Sequence, residues 1–243
     1  MNLTYLRLEL TRLRRDPVLL LIVVVLPVFF FVGATLAIPD TLPDGERLAV
    51  RDGVMIGLAC YGAGTAASTI SGQTALERVH GWARQLALTP LPTWQFLAVK
   101  ACAALVAVTA SVAVMFTVAL IGGVSAPPMA WAAAALTVIL GSLTWALYGM
   151  VVGWGFRSQS ALAASAAGLV LLALAGGVFV PLPDDLIWIA RWTPMYGHAE
   201  LARIALAGGP LTDAAWPLAN WLGWTALFGS LAARLVRRSR RRG

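Results

Sequence analysis

The chain has 243 residues, 59% of them hydrophobic and 12% charged, about half the roughly 25% charge usual for soluble domains. Its 18 Lys and Arg against 11 Asp and Glu leave a net charge of +7. Those charges stand in clusters between long uncharged runs, a pattern that excludes a soluble nucleic-acid binder and indicates an integral membrane protein.

The uncharged runs are 23 residues between Asp16 and Asp40, 24 between Asp52 and Glu77, 56 between Lys100 and Arg157, 26 between Arg157 and Asp184, and 20 between Asp213 and Arg234. About 20 apolar residues cross the hydrocarbon core, so the 56-residue run holds two spans. The break falls at Gly122 to Pro128, because Gly and Pro end helices. The expected fold is all-α: one membrane domain over 1–243, with spans at 17–38, 53–74, 94–121, 129–155, 159–180 and 213–234.

Residues 1–16 open with Leu3, Leu6, Leu10 and Leu13 on one helical stripe, among Arg7, Glu9, Arg12, Arg14 and Arg15. Such a helix lies in the membrane interface. Arg15-Asp16-Pro17 turns the chain into the first span, where Pro27 predicts a kink. That apolar run is too long, and ends in residues too bulky, for a cleaved signal peptide, so it reads as a retained span.

Pro39 to Asp52 reads as a short acidic external loop. The second span is rich in Gly, Ala and Ser and includes Gly53-x-x-x-Gly57, which predicts close packing against neighbouring helices or a second subunit.

All four charged residues between Asp52 and Arg157 fall in the stretch Glu77 to Lys100, ERVHGWARQLALTPLPTWQFLAVK. Thr74-x-x-Glu77 matches a capping box, which predicts a new helix starting there. Val79, Trp82 and Leu86 share one face, and Thr89-Pro90-Leu91-Pro92 stops the helix. The product is a short amphipathic helix against one membrane face, where a soluble partner can push. On the residues alone, Glu77 can equally be only a cap and Trp82 only an interfacial anchor.

Spans three and four form a hairpin. Pro181 to Leu206 is too polar to span and too apolar for a plain loop, so one or two short helices are expected to dip into or lie on the outer leaflet. The acids Asp184 and Asp185 suit a helix N-terminus. Glu200 and Arg203, three apart, can pair on one helix face. Residues 235–243 form a basic tail beyond the sixth span, suited to anionic headgroups.

With six spans, 14 Lys and Arg fall on the side of both termini and four on the other, while the acids divide three to eight. Basic residues stay inside during insertion, so both termini are expected in the cytoplasm. Seventeen Arg against one Lys hint at a GC-rich bacterial genome. There is no phosphate loop, no His-Glu-x-x-His, and no Gly-x-Ser-x-Gly, and His80 and His198 are expected on opposite membrane faces. Charge is missing from the middle of each span, which disfavours a proton-driven pump.

Glu77-Arg78-x-x-Gly81-x-x-Arg84-x-Leu86-x-x-Thr89-Pro90-Leu91-Pro92, closing at Lys100, resembles the cytoplasmic loop of bacterial ABC export permeases, although that family usually has Gly-Thr at Gly81-Trp82. Gly176-Gly177-Val178-Phe179-Val180-Pro181 with Thr193-Pro194, Glu200 and Arg203 resembles the family's segment before its last span. Arg14-Arg15-Asp16-Pro17 with Leu26-Pro27 resembles its approach to the first.

The resemblance implies two permease subunits, the second one identical or similar, above two separate ATPase subunits that hold ATP and Mg. The chain itself would bind no cofactor and no metal, and would be no enzyme. Glu77, Arg78, Gly81, Trp82, Arg84, Leu86, Thr89 and Pro90 would form the helix that couples to the ATPase. Phe179, Pro181, Pro194, Glu200 and Arg203 would border the external segment and a gate. The implied cargo is a drug, antibiotic, peptide or lipid, moved outward across a bacterial cytoplasmic membrane. A polysaccharide or glycolipid exporter is the rival within transport, kept open by ten tryptophans, which cluster at predicted span ends as ordinary anchors do. A membrane-bound lipid-modifying enzyme is the rival of another class, but no acid, base or metal groups converge in the sequence.

Overall fold

A computed structural model describes residues 3–39, 41, 43–79, 93–156, 158–179 and 184–240. Among these the regular structure is helical throughout. This follows from the composition, since a segment in lipid has to pair its own N–H and C=O groups.

An N-terminal helix, α1 (Leu3–Arg14), leads into α2 (Pro17–Ala37). Then come α3 (Asp44–Val79), α4 (Thr93–Ile121) and α5 (Pro128–Phe156). The helices α2 to α5 contain four segments long and apolar enough to cross a bilayer. Next is α6 (Gln159–Ala175), whose 17 residues rise about 25 Å. Two short helices follow, α7 (Ile187–Ala190) and α8 (Tyr196–Ala207), and the last is α9 (Ala215–Arg240). The helices α6 and α9 stand where the fifth and sixth spans are expected.

The corner between α1 and α2 is built as its sequence requires. Asp16 is the N-cap of α2 and its Oδ1 accepts from the Leu19 N–H at 2.9 Å, with Pro17 in the first helical position. Ten residues on, Pro27 lacks the N–H that would bond the Val23 carbonyl, and the preceding turn, Leu21–Val25, is π-helical. The Ser111 hydroxyl of α4 donates to that freed carbonyl at 2.9 Å. A neighbouring helix thus satisfies the polar group that proline exposes.

The axis of the bundle is α3, with Met55, Ile56, Leu58, Ala59, Cys60, Ala63 and Ala66 all buried. Its small residues do pack closely, and they do so within one subunit. A Cβ on Gly149 of α5 would overlap the Ser68 carbonyl, and one on Gly57 would overlap the Val178 carbonyl. Helices in lipid associate by such backbone contact, since no hydrophobic effect drives them together.

Three expectations are corrected. Residues 44–52, read as loop, are the first turns of α3. Thr74 starts no new helix: its hydroxyl donates to the Ile70 carbonyl at 2.7 Å and α3 continues through Val79, so the capping box is not used. The hydroxyl is already satisfied one turn back, which leaves the helix no reason to stop. Trp145 is not an interfacial anchor either. It lies fully buried in mid-α5, edge-on to Tyr148 and His198.

The segment before α9 packs against the middle of α5. His198 on α8 packs on Gly141 and Trp145, near the midpoint of α5. Its approach is tied to α9, where Asn220 Nδ2 donates to the Arg191 carbonyl at 2.8 Å and Trp224 Nε1 to the Trp192 carbonyl at 3.0 Å.

Candidate functional site

The N-terminal end of the bundle carries a knot of four charges from three helices. On α1, Glu9 falls between Leu6 and Leu13 and so faces the protein with the leucine stripe, of which Leu13 packs on the core. Lys100 lies about two turns into α4, too far from its start for an exposed cation. It is 6% exposed and donates to Glu9 Oε1 at 2.6 Å. The same ammonium stands 2.9 Å from Glu77 Oε2 at the end of α3. The other oxygen of Glu77 accepts from Arg12 Nη1 of α1 at 2.7 Å.

Glu9 and Lys100 thus compensate one another in a nearly dry place, with the partly buried Glu77 beside them and the more exposed Arg12 closing the network. Burial of single charges there would be costly, and pairing is the condition for it. Tyr5 borders the knot: burial first, then the Glu9 and Glu77 carboxylates, push its phenol above the ordinary range. The hydrogen bond to Glu77 raises the Arg12 guanidinium above its ordinary value.

Of the residues expected to couple to a partner, Glu77 is in this knot and Arg78 is on the same last turn of α3. The side chain of Arg78, and all of Gly81, Trp82, Arg84, Leu86, Thr89 and Pro90, lie outside the described residues. The geometry adds Glu9, Arg12 and Lys100. A sequence signal existed for two of them. Lys100 is the only lysine and stands inside an apolar run, and Glu9 interrupts a leucine stripe; each is a charge that needs a partner.

At the opposite end two arginines hold helix ends. At the end of α4, Gly123 takes a φ of 85° and the Val124 N–H returns to the Ala119 carbonyl, leaving the carbonyls of Gly122 and Gly123 directed outward. Arg51 on α3 donates to both, each at 2.7 Å. The end of α6 repeats the device. Gly177 has a φ of 66°, the Val178 N–H returns to the Ala173 carbonyl, and Arg203 Nη2 donates to the Gly177 carbonyl at 3.2 Å. Arg203 Nε also reaches the Gly53 carbonyl at 3.4 Å, and its Nη1 donates to Glu200 at 3.1 Å. The Glu200–Arg203 pair expected from spacing is therefore present, and it extends to two further helices. A guanidinium at a helix C-terminus also meets the negative end of the dipole.

Phe179 follows directly and packs edge-on to Tyr61 of α3 at 5.1 Å and beside Phe30 of α2 at 6.1 Å. Pro194 sits between α7 and α8 with its carbonyl against His198, while Pro181 lies outside the described residues.

The described residues form a helical bundle with several apolar helices and a charge network at each end. Residues 40–234 match the family described as ABC-2 family transporter protein, and the chain belongs to that family. It is similar to the protein named "Putative transport permease YvfS" of Bacillus subtilis (strain 168), with 26% identity over 209 residues, 84% of each chain. It is thus a permease-type membrane subunit of an ABC transporter.

Proposed function

We propose that this chain is the six-span permease subunit of an ATP-driven exporter, working with a second copy of itself above two separate ATPase subunits. ATP and Mg bind on those ATPases. Both termini face the cytoplasm of a bacterial cell, and the cargo is a drug, antibiotic, peptide or lipid moved outward. The family carries the transporter class, and the positive-inside charge distribution supports the orientation.

The observation that carries the coupling assignment is the Glu77–Lys100 pair, which joins the last turn of α3 to α4 about two turns from its start, on either side of residues 80–92. A helix in that segment, with Trp82 and Leu86 as apolar anchors and Arg78 and Arg84 as charged partners, would seat in a groove of the ATPase. Closure of the ATPase pair would then move α3 and α4 together, because Glu77 at the end of α3 is paired with the buried Lys100 of α4. At the outer end Phe179, Pro181, Pro194, Glu200 and Arg203 border the exit, with Arg203 as the contact that releases when the path opens.

The test is affinity purification of the full chain from its native membrane in mild detergent, followed by ATP turnover in vesicles. A stoichiometric soluble ATPase is expected, with turnover lowered by Glu77→Gln and Arg84→Gln at unchanged abundance. A chain that purifies alone, or variants that turn over like the parent, would remove the coupling reading.

A further inference from the structure

We propose that α1 clamps α3 to α4 where they flank residues 80–92, and that Glu9 and Lys100 are its positioning residues. The proposal rests on the reading of residues 80–92 as the coupling segment and deepens it.

By covalent connection that segment pulls only on α3 and α4. The knot adds a third attachment. Glu77 at the end of α3 is held on one oxygen by Lys100 of α4 and on the other by Arg12 of α1, while Lys100 also holds Glu9 of α1. Motion of the α3 and α4 ends is therefore passed to α1.

From α1 it has a stiff way onward. The Asp16 cap and Pro17 make a rigid corner into α2. Further along, α2 is tied to α4 through Ser111 and Val23, and it carries Phe30 to the ring of Phe179 at the far end. Three spans, α2, α3 and α4, then respond as one body to a push on residues 80–92. The fourth charge, Arg12, is more exposed and acts as a secondary contact.

The test replaces the ion pair by a covalent bridge. In a Cys60→Ala, Cys102→Ala background, Glu9→Cys and Lys100→Cys are combined in the full chain, reconstituted with its co-purified ATPase. The side-chain ends at these positions are adjacent, so a short bifunctional thiosulfonate can join the two thiols. Without the linker, transport-coupled ATP turnover is expected to fall about fivefold or more, the lower range of measured site-to-site coupling. With the linker it is expected to return toward the parent value. An intact rate without the linker, or no recovery with it in folded protein, overturns the clamp.

Glu9→Gln is the milder companion. It is expected to keep abundance, lower coupling, and raise the reactivity of a Leu10→Cys thiol toward an impermeant maleimide in inside-out vesicles, since α1 undocks. Unchanged reactivity and coupling would sink the proposal. If the parent chain itself stimulates no ATPase, the coupling reading fails instead, and the Leu10→Cys reactivity still reports whether Glu9 docks α1.

Discussion

The two ends of this bundle use the same kind of side chain for different work. At the end that carries α1, Lys100 and Arg12 meet carboxylates, so cation and anion are both side chains and both can be exchanged or released. At the opposite end Arg51 and Arg203 meet backbone carbonyls at the glycine-capped ends of α4 and α6. The first network joins three helices around the buried Glu9–Lys100 pair. The second finishes two helices and ties them to α3. A buried charge pair is stable only while both members are present, whereas a capped helix end keeps most of its bonds when one donor is lost. Failure should accordingly be steep at Lys100 and graded at the opposite end.

The largest effect is expected from Lys100→Met. It strands Glu9 and Glu77, and removing one partner of a buried pair costs about 3–5 kcal/mol. Thermal unfolding of the detergent-purified chain should show it, and Lys100→Met combined with Glu9→Gln should be less damaging than the single change. If Lys100→Met melts like the parent, this end of the bundle is not a charge-compensated knot.

Arg51→Met comes next, because it removes two short bonds from a charged donor that is 14% exposed. Such bonds are worth about 1.5–3 kcal/mol each at most, and water can replace part of the loss at this end. The expected result is a moderate drop in melting temperature with α4 less protected in hydrogen exchange near Gly122. Protection equal to the parent would mean that Arg51 does not hold that helix end.

Arg203→Met should cost less in stability, about 1 kcal/mol, since its contacts are longer, at 3.1 to 3.4 Å. Its effect should appear in transport, as leak or loss of directionality in vesicles at nearly normal melting. A large melting change without a transport change would assign Arg203 to the scaffold and sharpen the contrast with Arg51.

Arg12→Ala should be the smallest. Its side chain is 58% exposed, and exposed pairs contribute about 0–1 kcal/mol. That small term should vanish in high salt, while the Lys100 effect should not. A salt-independent loss in Arg12→Ala would place this arginine in the buried part of the knot.

Much of the fold was legible residue by residue. The lengths of the uncharged runs marked the four long apolar helices, Asp16-Pro17 marked the corner into α2, and Gly122 to Pro128 marked the turn between α4 and α5. Each is a local matter of backbone chemistry. Thr74 was misleading for the same reason: a capping box is a local pattern, and a hydroxyl that bonds back to Ile70 competes with it using only neighbours. Trp145 misled because tryptophan suits both an interface and a buried niche, and only the packing of α5 against α8 distinguishes them.

The class of this protein and its helical content were readable from the residues, because run length, proline and glycine act on the chain nearby. The tertiary structure alone decided which charges belong together. Glu9 and Lys100 are 91 residues apart, and Arg203 and Gly53 are 150 apart. No periodicity connects them. Their pairing follows from which helix faces stand side by side once glycine and serine let α3 lie against its neighbours, and a charge in so apolar a place is tolerated only after that arrangement has brought its partner to it.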